Sequence, residues 1–287
     1  MSRAVSIHIG VNQPQGRHAG RPLQYAEGSA WRMAELASQA GFGSILVLRG
    51  SEATTQALHE ALAGAAQALC GGDLLLLSFS GHGSQVRDRN RDEGFGWDET
   101  WCLADEEILD DKLAGYWRLF DAGVRIVVVS ESCYGGGMGR DDEDVPPASP
   151  PVHRPPVMRN GGRGGWGTAR GFRAEPEMEA AAPCIASAPA DDLGIRASLL
   201  LISASSEDQA ARDGLFTRYL LDVWNDGTFR GSYCDLYRRV RKHVMDEACS
   251  QEPQILMLGA PDLAFPMERA FRPRERGPVT RGPLVHR

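Results

Sequence analysis

The sequence predicts an α/β fold: a three-layer sandwich with a mostly parallel central sheet and helices on both faces. Three observations carry this. Apolar, partly β-branched runs of strand length alternate with helical periods through the first half of the chain. Two of the runs, DLLLLSFS (73–80) and VRIVVVS (124–130), are apolar at successive positions, as strands covered on both faces are. Hydrophobic residues make up 42% of the 287, enough to fill the core of one large domain.

The elements follow in order. Residues 4–10 (AVSIHIG) form a first strand. Residues 24–40 run with helical periodicity and stop at Gly41, a C-terminal cap. SILVL (44–48) reads as a short buried strand, and residues 53–69 as an amphipathic helix ending before Gly71-Gly72. The two central strands come next. Beyond them ASLLLIS (197–203) is a strand and FTRYLLDVW (216–224) a helix. Residues 232–249 are a second helix, opened by Ser232 and Asp235 at capping-box spacing, and QILMLG (254–259) is the last strand.

Residues 139–196 interrupt this pattern. They hold Pro146, Pro147, Pro150, Pro151, Pro155 and Pro156, then NGGRGGWGTARG (160–171), with no apolar period. Such a stretch reads as a flexible Pro/Gly/Arg-rich linker. The expected organisation is therefore a segment 1–138, the linker 139–196, a segment 197–271 completing the same domain, and a disordered tail 272–287. Strand signals on both sides of the linker imply one continuous sheet.

Composition excludes several classes. The net charge of −7 argues against nucleic-acid binding. No window approaches the ~20 apolar residues of a membrane span. The opening MSRAVSIHIGVNQP lacks the apolar run of a signal peptide. The six cysteines form no CxxC pair and no disulfide-framework spacing. A reduced, cytoplasmic chain with free thiols is the expectation.

Chemistry in parallel α/β sheets gathers beyond the carboxyl ends of the strands. Here one central strand runs into Gly81-His82-Gly83 and the other into Glu131-Ser132-Cys133-Tyr134, followed by three glycines. If the strands are neighbours, His82 and Cys133 emerge side by side. Imidazole is the natural base for a thiol near neutral pH. The flanking glycines let backbone N–H groups of Gly83 and Cys133 serve as oxyanion donors. The histidine precedes the cysteine by 51 residues, close to the separation of about 50 in the caspase signature.

SFSGHGSQ (78–85) resembles the histidine motif of caspases and metacaspases, and ESCYGGG (131–137) their cysteine motif. LISASSEDQAA (201–211), GLFTRYLL (214–221) and QEPQILMLG (251–259) resemble successive segments of the metacaspase small subunit. The chain is thereby similar to caspase-like cysteine peptidases of the bacterial metacaspase (orthocaspase) type. The resemblance implies a caspase-like fold, a Cys133–His82 dyad and acyl transfer. It also implies a substrate pocket lined by Ser80 and by Glu131, which stands where metacaspases carry Asp. A carboxylate there favours a basic P1 side chain, Arg above all, through a charge-assisted contact. The family's second pocket carboxylate is replaced in YAEGSA (25–30) by Ser29, with Glu27 and Asp208 as nearby substitutes.

Ten carboxylates lie within residues 88–111. Asp88, Asn90, Asp92 and Glu99 echo an EF-hand loop, but Glu93 occupies the sixth place, where the turn needs glycine. The resemblance instead implies a calcium site at Asp98, Asp110 and Asp111, joined by Asp141; the alternative is a solvated acidic rim. No His/Asp constellation of catalytic-metal type accompanies them.

The linker holds six arginines between Arg140 and Arg173, while Lys112 and Lys242 are the only lysines of the chain. Self-cleavage after Arg is expected there, since proteolysis concentrates in exposed flexible loops. The expected partners are protein or peptide substrates with Arg at P1, and the expected state is a monomer. The alternative is a caspase-like scaffold or regulatory protein with weak or no proteolysis, which the changed pocket motif keeps open.

Overall fold

The structure, a computed structural model, describes residues 2–15, 21–87, 97–132, 186–187, 194–206, 209–260 and 262–274. Ten strands are described: β1 (Ala4–Gly10), β2 (Ser44–Arg49), β3 (Leu74–Ser80), β4 (Gly83–Arg87), β5 (Trp97–Cys102), β6 (Glu107–Leu109), β7 (Arg125–Glu131), β8 (Ala186–Ser187), β9 (Ser198–Ser203) and β10 (Gln254–Gly259). Five α-helices accompany them: α1 (Ala26–Ala40), α2 (Thr55–Ala68), α3 (Asp110–Trp117), α4 (Leu215–Trp224) and α5 (Tyr233–Glu247).

Seven strands form one sheet in the order β2-β1-β3-β7-β9-β10-β8. From β2 through β9 every pairing is parallel; β10 returns antiparallel to β9. Strands from both sides of residues 139–196 share this sheet, as the apolar runs implied. The linker and the tail lie outside the described residues but for Ala186–Ser187, the segment 194–196 and residues 272–274, where the Arg274 carbonyl accepts from the Ser2 N–H at 2.9 Å.

Alternation along the strands sorts side chains between two cores. Ile7, Ile9, Leu75, Leu77, Ile126 and Val128 meet Leu58 and Leu62 of α2 and Leu113 and Trp117 of α3. Leu74, Leu76, Val127 and Val129 point the other way, onto Met33 and Leu36 of α1, Phe216 and Leu220 of α4, and Leu236 and Val240 of α5. Each such fully buried side chain contributes about 1.5–3 kcal/mol, so the three layers follow from the apolar pattern itself. The helix ends obey their local signals. Gly41 takes the left-handed conformation (φ 89°) that closes α1, Thr54 caps α2, and Ser232 and Asp235 form a reciprocal capping box on α5.

Two expectations need correction. β2 is the outer strand, so Ile45 and Leu46 are 38% and 40% exposed rather than buried. The carboxylate-rich stretch 88–111 is more than a solvated rim: its described residues include β5, β6 and the start of α3, and β4-β5-β6 form a second, antiparallel sheet. Carboxylates disfavour strands, but Trp101 and Ile108 supply the buried positions that override this. Among the described residues no helix is long and apolar enough to cross a membrane.

Candidate active site

β3 and β7 pair in parallel with Ser80 opposite Glu131. The ladder runs on past the strand ends, the Gly81 N–H donating to the Glu131 carbonyl at 3.1 Å. His82 stands two places after Ser80 at this edge of the sheet, and Cys133 two places after Glu131 in sequence. Cys133 itself lies outside the described residues; Ser132, just before it, is buried with its hydroxyl 3.1 Å from that of Ser130.

The histidine loop is fixed from three sides. A Cβ at Gly81 would stand 2.7 Å from the Phe79 ring, which stacks on Trp101 at 4.5 Å, so the turn requires glycine. The His82 carbonyl accepts from the Cys102 N–H at 2.9 Å. The ring Nε2 lies 2.9 Å from the carbonyl oxygen of Arg21. A carbonyl only accepts, so Nε2 carries the proton and Nδ1 presents the lone pair that can take one. Arg21 is held by the return of its loop, where the Leu23 N–H bonds the Asn12 carbonyl at 2.8 Å. Sequence reasoning missed Arg21 because a carbonyl contact leaves no side-chain signature; Pro22, which biases the preceding residue toward extended backbone, is the one local hint.

Other candidate bases and thiols are disqualified by their surroundings. His8 is fully buried, and burial lowers its pKa to about 3. Cys102 is buried, and burial and Glu107 push its thiol up to about 12. A thiolate nucleophile needs the opposite environment.

Glu131 is the most heavily engaged group of the site. It is 4% exposed. One carboxylate oxygen accepts from the Thr217 N–H at 3.1 Å, and the other from the hydroxyls of Thr217 (2.6 Å), Ser80 (3.2 Å) and Ser29 (3.4 Å). Burial pushes its pKa above the ordinary carboxylate range, against the downward pull of Thr217, Ser80 and the Phe216 backbone. Ser29 and Ser80 are therefore both brought to Glu131. Glu27 is not: its side chain faces Gly50. The helical turn sends residues two apart to different sides. Asp208 and Asp141 lie outside the described residues. Gly83 opens β4 opposite Trp101. Thr217 was not anticipated, although it sits within the GLFTRYLL segment.

Asp110 and Asp111 open α3, with Asp110 buried and accepting from the Asp111 N–H at 2.8 Å. Asp98 is described by its backbone alone. The β5–β6 register pairs Thr100 with Leu109, so Asp98 and the Asp110–Asp111 pair lie at the same end of that ladder. Among the described residues no three His, Cys, Asp or Glu side chains converge as a metal site.

Known proteins match this chain at two levels. A protein of Geobacter sulfurreducens, GSU0716, superposes with a TM-score of 0.69 at 28% identity, covering 95% of this chain and all of that one. Pro-sf-caspase-1 superposes with a TM-score of 0.50 at 11% identity over 91% of this chain and 92% of its own, a likeness of fold alone. Metacaspase-1 of Arabidopsis thaliana is 36% identical over 104 residues, 32% of this chain and 28% of that protein. Metacaspase-1 of Plasmodium falciparum is 40% identical over 70 residues, 23% of this chain and 11% of that protein. The matched stretch is thus under a third of these relatives' length. The caspase domain family matches residues 5–260. That span takes in the histidine turn, β7 and all of the seven-stranded sheet but Ala4, and the chain belongs to the caspase domain family, with metacaspases among its relatives.

Proposed function

We propose that the chain is a cysteine endopeptidase that cleaves after basic residues, Arg before Lys, through a Cys133–His82 dyad. The observation that carries this is the β3–β7 register, in which Ser80 faces Glu131 and the two reactive positions follow at equal distance. His82 takes the thiol proton at Nδ1, while the Arg21 carbonyl holds Nε2 and steadies the imidazolium that forms. The thiolate attacks the carbonyl after the P1 residue. The N–H groups of Gly83 and Cys133 stabilise the oxyanion, His82 returns the proton to the leaving amine, and water releases the acyl-enzyme. The buried Glu131 charge favours a cationic P1 side chain, with Ser29 and Ser80 beside it. Self-processing after an arginine of 139–196 belongs to the same reading. So does calcium held by Asp98, Asp110 and Asp111 with Asp141, which would supply positive charge that orders this acidic region.

The test uses purified wild type and Cys133→Ala with fluorogenic peptides bearing Arg, Lys or Asp at P1, with and without calcium. Expected is turnover of Arg and Lys peptides by wild type alone, and Arg-directed cuts within 139–196 that vanish in Cys133→Ala. Equal turnover by both proteins sinks the dyad. Turnover of the Asp peptide alone sinks the pocket argument.

A further inference from the structure

Helix α4 begins without a cap of its own. Its N-cap residue is Gly214, in the left-handed region (φ 75°), and no side chain there accepts from the first turn. The orphan N–H groups of a helix start need an acceptor and create a positive end that favours an anion. Glu131 supplies that anion from another element. Thr217, in the first turn of α4, grips it with two donors: backbone N–H to one oxygen and hydroxyl to the other. Thr217 is 3% exposed, so water does not replace either donor.

Among the described residues the other hydrogen-bond partners of Glu131 are uncharged. Ser29 reaches it from α1 and Ser80 from β3. The titratable groups on the packed elements face elsewhere. Glu27 of α1 lies against Gly50, His82 beyond β3 engages the Arg21 carbonyl, Arg218 of α4 pairs with Glu247, and Arg125 at the far end of β7 pairs with Glu268. β9 contributes no ionisable side chain. The carboxylate charge therefore depends on neutral donors and a helix end, of which Thr217 provides the two-point share.

We propose that Thr217 is a specificity-determining positioning residue, which keeps Glu131 oriented and charged so that the pocket selects a cationic P1 side chain. The inference rests on the basic-P1 reading above and adds to it that the charge is maintained by the C-terminal segment. The donor set of the pocket is thus assembled only when residues 197–271 are docked on the nucleophile strand. Burial already pushes the Glu131 carboxyl upward, and loss of a donor that pulls it down moves it further up.

The experiment compares peptides with P1 Arg and P1 citrulline, its neutral isostere, in wild type, Thr217→Val and Thr217→Ser between pH 5.5 and 8.5. Thr217→Val keeps the shape and the N–H but deletes the hydroxyl. Expected is a fall of about tenfold in the Arg-over-citrulline ratio of kcat/KM at pH 7, the scale of one hydrogen bond to a charged group. The loss falls on KM for the Arg peptide and recovers as pH rises, while Thr217→Ser keeps the wild-type ratio. A purely structural role would lower both substrates alike at every pH. An unchanged ratio and pH profile in folded Thr217→Val overturns the inference. Should the valine variant not fold, Thr217→Ala gives the same reading. A wild type without preference for Arg over citrulline overturns the basic-P1 reading instead, so the two failures are distinct.

Discussion

Arg125 at the amino end of β7 and Glu131 at its carboxyl end are both buried, at 1% and 4% exposure, and are satisfied by partners of different kinds. Arg125 has a counter-ion: its guanidinium meets Glu268 at 2.5 Å, donates to the Gly72 carbonyl at 3.1 Å and lies over the Phe265 ring. Glu131 is met by three hydroxyls and a backbone N–H, all neutral. Arg125 reaches a partly exposed counter-ion, with its Nε buried and unpartnered, and so docks the chain's end. Glu131 is held among the described residues by neutral donors alone, at the strand end that Ser132 and Cys133 follow in sequence. The same strand therefore uses one ionisable group for docking and leaves the other without a counter-ion among the described residues, which fits the proposed role of receiving a cationic side chain.

The largest expected effect breaks the structural end. Arg125→Met removes the charged bonds to Glu268 and to the Gly72 carbonyl, at about 1.5 kcal/mol each a loss of about 3 kcal/mol, while Arg274 still pairs with Glu268. Urea unfolding should register that loss. The P1 preference of the folded protein should not move, because Arg125 lies at the opposite end of the strand. A shift in P1 preference with little change in stability would erase the distinction between the two ends.

Next in size is the functional end. Glu131→Gln keeps the volume and removes the charge, and should lower kcat/KM for P1 Arg peptides by about 10–100-fold, the worth of a charge-assisted contact. Stability should go the other way. The Glu131 pKa is raised above its ordinary 4.5 in the folded state. Its contribution is thus fully present below that ordinary value and is lost as pH rises through the folded one. Glutamine does not titrate, so the variant should gain on wild type in urea midpoint as pH is raised from 5 to 8. A difference that stays flat over that range would mean that the donors outweigh burial and hold the folded pKa at or below 4.5.

This asymmetry was only half legible in the sequence. The apolar runs gave β3 and β7, and the glycine-flanked His82 and Cys133 gave the active edge, because strand ends in a parallel sheet are a topological consequence of pattern. Ser29, Ser80 and Glu131 could be grouped only through family resemblance. Thr217, 86 residues away from Glu131, gives no local sign of the contact. Glu27 is chemically the better substitute for a missing carboxylate, yet the turn of α1 aims it at Gly50 and gives the position to a serine. The second sheet at 83–109 was hidden because its carboxylates read as loop, while Trp101 and Ile108, its buried anchors, are too sparse to announce strands.

The smallest effect concerns a third buried titratable group on the same face of the sheet. His8 carries no charge to hold: its Nδ1 is 2.8 Å from the Ser78 hydroxyl, and Nε2 is buried without a partner. Burial lowers its pKa from 6.5 to about 3. Between those values the unfolded chain binds a proton that the folded chain refuses. Stability is therefore unaffected above about pH 6.5 and falls as pH drops toward 3, by 1.36 kcal/mol per unit. From pH 6.5 to 5 this amounts to about 2 kcal/mol. His8→Gln removes the titration and should flatten the acid limb of wild type by that amount, read as the difference in urea stability between pH 7 and pH 5. The signs then separate the groups of this face: a neutral histidine that resists protonation weakens the fold in acid, and a carboxyl whose pKa burial raises weakens it as pH climbs. Parallel acid limbs in wild type and His8→Gln would mean that the imidazole is protonated in place. The polar strip under α1 would then hold a cation that Glu131 could see, and the carboxylate would no longer depend on neutral donors alone.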